Sequence, residues 1–215
     1  MQCPFCKAQV PAASSSCPQC KTSLPPPLSG RPQGDDFGAI FTRATELWKS
    51  NLGDLALLTL VLLLVGWIPI ANIGFLAGYY RAILKVLRGE GKASPADLFR
   101  AWDCFGNLLL LCILAFVAAI VLALIPLIGN LAGLALTVLI TPALYAVIDR
   151  AMGAIDAVKW SIETIKQDWL NWLLAALVGG LLGGLGALAL GIGLIVTLPW
   201  GFLISAVQYE RHRSD

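Results

Sequence analysis

The chain of 215 residues is short of almost everything an enzyme active site is built from. It holds one histidine, His212, and that residue sits in the C-terminal tail. A Ser-His-Asp or Cys-His arrangement is therefore not expected. Charged side chains make up 13% of the residues, about half the share usual in a soluble domain. The net charge is +2, too small to imply nucleic-acid binding by itself. The Gly-rich C-terminal region lacks the Lys and Ser/Thr of a phosphate-binding loop. None of the 13 acidic residues falls deep inside an apolar run, Asp54 coming closest. Residues 1–36 hold no apolar core of the kind a secretory signal needs, so the N-terminus is expected in the cytosol.

What fills the space is apolar. Hydrophobic residues reach 58%, and mean hydropathy is +0.78. The longest uncharged run extends from Cys104 to Ile148, more than twice the length that suggests a membrane span. Pro126, Gly129 and Asn130 near its middle read as a turn between two spans. Arg100 and Asp103 precede it, and Asp149 and Arg150 follow it, which puts both ends of that hairpin in water on one side.

The same pattern occurs three times. Phe37–Ser50 predicts an amphipathic helix with Phe41, Ala44, Leu47 and Trp48 on one face and Arg43, Glu46 and Lys49 on the other. Two apolar runs follow, Leu55–Ile70 and Ile73–Leu87, both short for a full crossing. Ser94, Pro95 and Asp97 then mark a helix start with an N-cap, a proline in the first turn and an early acid. The long hairpin comes next. Arg150–Asp168 predicts a further amphipathic helix, with Val158, Ile162, Ile165 and Trp169 able to share a face. Two last spans run over about Leu170–Leu190 and Ile192–Val207. Trp48, Trp102 and Trp169 open the three units, and Pro142 with Tyr145 echoes Pro199 with Tyr209.

The expected fold is thus an all-α integral membrane protein: a six-span bundle of three helix-plus-hairpin repeats, at about 37–90, 94–150 and 151–210. The far turns carry no charge, while Lys and Arg collect in the near-side loops, the tail and the N-terminal region. The positive-inside rule places those parts in the cytoplasm of a prokaryotic inner membrane, with both termini inside. Arg81 and Lys85, with Asp54, read as interfacial anchors. Glycine pairs such as Gly74/Gly78, Gly129/Gly133, Gly179/Gly183 and Gly180/Gly184 suggest close helix contacts. Cys104 and Cys112 read as small buried apolar residues.

Residues 1–23 are a separate module. Cys3 and Cys6 form one C-x2-C pair, and Cys17 and Cys20 form another. Four thiolates at this spacing suit tetrahedral Zn2+ of structural type. The segment is too short to bury a core, so metal binding would supply its folding energy. A dithiol redox centre lacks its usual βαβ setting here, and disulfides do not persist in a reducing cytosol. Residues 24–36, with three consecutive prolines, read as a linker to the domain at 37–215.

The module resembles the short zinc ribbons that open many prokaryotic membrane proteins. The stretch from Ile68 through Gly78-Tyr-Tyr-Arg81, Gly89-Glu-Gly91 and Asp97–Trp102 resembles prokaryotic polytopic membrane families of unknown function. Their repeats end in a Gly-Tyr-x-x-Arg exit and a Gly-Glu loop; here the Arg comes one position early. The resemblance covers roughly residues 40–210. It implies a polytopic helical fold and supplies no catalytic residues.

The leading functional expectation is a non-enzymatic inner-membrane protein whose cytosolic zinc ribbon mediates protein interaction or regulation. Its partners would be the lipid bilayer and a cytosolic or membrane protein, with no nucleic acid. A homo-oligomer is compatible with the pattern. The alternatives are a transporter or channel for a small or lipidic solute and, ranked last, a membrane-lipid enzyme.

Overall fold

The computed structural model describes residues 37–124, 129–188 and 192–213. Among these the regular elements are all helical: α1 (Phe37–Ser50), α2 (Leu52–Val65), α3 (Ala71–Leu87), α4 (Phe105–Ala123), α5 (Gly129–Arg150), α6 (Ala154–Gln167), α7 (Trp169–Leu188) and α8 (Leu194–His212). Two 3-10 turns, Pro95–Phe99 and Trp102–Cys104, bridge α3 and α4. The zinc-ribbon call on Cys3, Cys6, Cys17 and Cys20 and the linker call lie outside the described residues.

Apolar composition sets the long elements. Segments Pro95–Ala123, Ala132–Arg150 and Trp169–Leu188 are long and apolar enough to cross a membrane. The pair α1 and α2 passes that test together, but it is bent by 86° at Asn51. The chain therefore has three such segments among the described residues, or four with the bent pair. Their apolar surface faces outward: only 11% of the α4 window is buried. Phe116, Val117, Ile120 and Val121 are all exposed. In water this would be an aggregation surface; in lipid it is solvated.

The tight core lies where α3, α5 and α8 run together. Tyr79, Ile83, Tyr145, Val147, Leu203, Ile204 and Tyr209 are buried there. Tyr80 meets Tyr145 edge-on at 4.7 Å, Tyr79 and Tyr80 both meet Phe202, and Tyr145 stacks on Tyr209 at 5.0 Å. Edge and offset ring contacts of this kind add to plain area burial. The buried Tyr79 hydroxyl is paired with Thr59 at 2.9 Å, and the Tyr145 hydroxyl donates to the Phe202 carbonyl.

Each of these three helices carries a preceding or following short segment on its flank. Ser94 caps the first 3-10 turn, its backbone N–H bonded to Asp97 at 3.0 Å. The turn then lies against α3 at Gly78, where a Cβ would sit 2.5 Å from the Asp97 carbonyl. The helix expected from Ser94 onward is thus 3-10, not α. On α5 the flanking segment is α6. On α8 it is α1, through a stack of Trp48 on Trp200 at 4.9 Å and the Trp200 indole N–H to Thr45.

Proline shapes two of these contacts. Pro142 and Pro199 lie inside α5 and α8 and cannot donate to the carbonyl four residues back. In both helices the carbonyl three residues before the proline accepts a side-chain donor. Leu139 accepts from the Ser161 hydroxyl at 2.5 Å, and Val196 from the Trp48 indole at 2.9 Å. These bonds fall one residue beyond Val138 and Ile195, the carbonyls that the prolines leave without a ladder donor.

Helix α6 follows its sequence reading in part. The face turned to the bundle holds Ala154, Ala157, Ser161 and Thr164, all buried, with Val158 and Ile165 half-buried against the core, while Ile162 and Trp169 are exposed. Small residues let the axes of α5 and α6 approach, as in membrane helix pairs. Ile155 and Ile162 are left exposed beside Lys159, Glu163 and Lys166. That ridge of isoleucine flanked by charge suits a helix at the lipid boundary.

Candidate functional site: a junction of paired charges

A cluster of charged residues enters the fold at the C-terminal ends of α3, α5 and α8. Arg88 follows the last turn of α3, Asp149 lies in the last turn of α5, and Glu210 in that of α8. The Arg88 guanidinium binds Asp149 with two parallel bonds, Nη1 to Oδ1 at 2.7 Å and Nη2 to Oδ2 at 2.8 Å. It also donates from Nε and Nη2 to Glu210 Oε2, at 3.1 and 2.9 Å. Tyr209 donates its hydroxyl to Asp149 at 3.0 Å, and Arg213 approaches the same carboxylate at 3.2 Å. The fork geometry of guanidinium is what makes this three-helix clasp possible; a lysine has no such fixed fork.

The site is largely screened from water: side-chain exposure is 14% for Arg88 and 9% for Asp149. Burial alone would lower the Arg88 pKa, but the hydrogen bonds from Asp149 and Glu210 outweigh it. The net shift is upward, so Arg88 stays charged.

Two further cations line the same face of α3. Arg81 forms a two-pronged pair with Asp103, both bonds 2.6 Å, and caps α5 by donating to the Ile148 carbonyl at 3.1 and 3.2 Å. Lys85 pairs with Asp97 at 3.1 Å. A cavity of about 300 Å³ opens beside them, lined by Arg81, Leu84, Lys85, Arg88, Glu90, Ile148 and Asp149. Every cation in that lining has a carboxylate partner.

A second polar cluster holds the start of α7 to the end of α8. Asp168 accepts from Asn171 at 2.8 Å and from Gln208 at 2.7 Å. His212, buried, lies 3.7 Å from the same carboxylate. The lone histidine is therefore a packing residue at a helix end, with no nucleophile among these neighbours.

Among the described residues no group of three or more His, Cys, Asp or Glu side chains is arranged to hold a metal. Cys104 is buried, as its apolar reading anticipates, and Cys112 is half-buried. Asp54 faces Lys92 at 3.8 Å in an exposed pair. The sequence reading treated Arg81 and Lys85 as anchors and did not bring Arg88, Asp149 and Glu210 together. A signal was present. Arg88 and Asp149 are 61 residues apart, and Arg88 and Glu210 are 122 apart, twice that interval.

No protein-family model matches the chain, and no curated protein or solved structure matches it.

Proposed function

We propose that the chain is a non-enzymatic, multi-pass protein of a prokaryotic cytoplasmic membrane, a scaffold that presents a zinc ribbon to the cytosol. In this reading α2/α3, α4/α5 and α7/α8 are three hairpins of a repeated unit, six membrane segments in all. Their charged ends face the cytosol. Cys3, Cys6, Cys17 and Cys20 hold structural Zn2+, and the ribbon binds a cytosolic or membrane protein.

The observation that carries the proposal is the saturation of the charged junction. Arg81, Lys85 and Arg88 are each neutralised by Asp103, Asp97, Asp149 or Glu210. Groups that satisfy one another fasten three helix ends; a catalytic site keeps an acid, base or nucleophile available for substrate. The interval of 61 residues at the junction supports the repeated unit.

The test is capture of partners from detergent-solubilised membranes by the full chain and by the Cys17→Ser/Cys20→Ser variant. The reading expects a partner that is lost from the variant while the variant stays folded and membrane-bound. Identical captures from both proteins contradict a ribbon-mediated role. The cavity beside Arg81 and Lys85 favours one other reading, passage of a small solute. Solute-stimulated flux in proteoliposomes, reduced by Leu84→Trp in the cavity wall, would carry that reading instead.

A further inference from the structure

The three hairpins are not equally long. Both arms of the second are free of charge for about 20 residues, Phe105–Leu124 and Gly129–Ile148, or roughly 30 Å of helix. That matches the hydrocarbon thickness of a bilayer. In the first hairpin, the arm after Asp54 runs only from Leu55 to Val65. The returning arm runs from Ala71 to Tyr80 before Arg81. Each gives roughly 15 Å of uncharged helix. The charges that bound it meet polar partners: Asp54 pairs with exposed Lys92, and Arg81 with Asp103. Neither arm can therefore slide deeper without carrying a charge with it. The 86° bend at Asn51 prevents α1 from extending α2 into a longer span.

The tip of this hairpin is built for a place without water. Trp67 is 89% exposed, and Ile68 and Ile70 are exposed beside it. Between Gly66 and Ile73 the only polar side chain is that of Asn72. Most of the backbone closes on itself. The N–H groups of Gly66, Ile68, Ala71, Asn72 and Ile73 donate to the carbonyls of Leu62, Val65, Pro69, Ile68 and Ile70 in turn, while those of Trp67 and Ile70 make no backbone bond. Pro69 has no N–H to satisfy. A water-exposed loop has no need for such closure, whereas backbone surrounded by acyl chains costs several kcal/mol for each group left open. Ile70 takes a left-handed φ of 68° to make it, a strained choice for a β-branched residue.

We infer that the α2/α3 hairpin is re-entrant: its Trp67–Ile70 tip ends among the acyl chains and does not reach the far surface, whereas α4, α5 and α7 are long and apolar enough to cross. Its partner is therefore lipid hydrocarbon on all exposed sides of the tip. This inference rests on the membrane reading above.

Intact spheroplasts expressing the full chain with Cys104→Ala and Cys112→Ala are treated with a membrane-impermeant sulfonated maleimide. One added cysteine each is placed by Trp67→Cys, Leu124→Cys and Leu188→Cys, and labelling after SDS denaturation above that of the parent, which keeps Cys3, Cys6, Cys17 and Cys20, confirms each added thiol. Thiols react through the thiolate, which hydrocarbon suppresses, so Trp67→Cys should label more than about tenfold slower than the two references. Labelling of Trp67→Cys at the reference rate overturns the inference and leaves the membrane reading standing. Labelling of the parent, or references that stay unlabelled, overturns the membrane topology itself.

Discussion

Arg88 and Asp149, 61 residues apart in the chain, meet in a two-pronged ion pair with bonds of 2.7 and 2.8 Å at the ends of α3 and α5. Glu210 of α8 completes the contact on the other side of the same guanidinium. Removing Arg88 leaves Asp149 and Glu210 with only the half-exposed Arg213 as cation partner. Arg88→Ala should cost about 3 kcal/mol or more. Replacing the whole set, as in Arg88→Met/Asp149→Leu/Glu210→Gln, should recover much of that loss because the one charge left without a partner, Arg213, is half-exposed to water. Thermal unfolding of the detergent-solubilised proteins checks both. Equal melting temperatures for Arg88→Ala and the parent would contradict the clasp.

Gly78 faces the first 3-10 turn with no room for a side chain. A Cβ there would lie 2.5 Å from backbone atoms of Asp97 and Leu98, which cannot rotate away. Gly78→Ala should destabilise by about 1–3 kcal/mol through overpacking. Gly183→Ala, where nothing lies within 4 Å, should change stability little. Comparable losses for the two variants would show that the close approach at Gly78 is not specific.

The Trp48 indole joins α1 to α8. Trp48→Phe keeps a ring against Trp200 and loses the bond to the Val196 carbonyl, beside the Pro199 break. The expected loss is about 1 kcal/mol, read from the melting temperature. Limited proteolysis should then cut between α1 and α2 earlier than in the parent. Unchanged proteolysis would place the hold on α1 elsewhere.

Residues 1–23 make a metal prediction that is independent of the bundle. The reduced, purified chain should carry one equivalent of zinc, lost with Cys3→Ser or Cys17→Ser. Metal content below about half an equivalent under reducing conditions contradicts the zinc ribbon.

The helices were legible because apolar runs and turn residues punctuate them plainly; Phe37–Ser50 is helical and ends at Ser50 as the pattern predicts. Ser94 and Asp97 likewise announce their cap. The packing was less legible. For α6, hydrophobic size points to Val158, Ile162 and Ile165 as one face; Val158 and Ile165 do pack against the core, but the closest contact is made by Ala154, Ala157 and Ser161, and Ile162 is left exposed. The glycine pairs were legible only in part: Gly74 and Gly78 meet Trp102 and Leu98, while Gly180, Gly183 and Gly184 meet nothing within 4 Å. The junction was hidden by its own register. Matching Pro142 to Pro199 places the two units about one helical turn away from the match of Asp149 to Glu210. Since a turn returns to the same face, both alignments fit the pattern, and only contact distinguishes them.

The account stands on the charged ends of the hairpins sharing the cytosolic side of a membrane. Lys92 and Lys159, 83% and 71% exposed, lie in the first and second near-side segments. In the Cys104→Ala/Cys112→Ala chain, Lys92→Cys and Lys159→Cys should stay unmodified by an impermeant maleimide in intact spheroplasts and, once the membrane is opened, take up label beyond that of the parent with its four N-terminal cysteines. Modification of either site from outside would contradict the account.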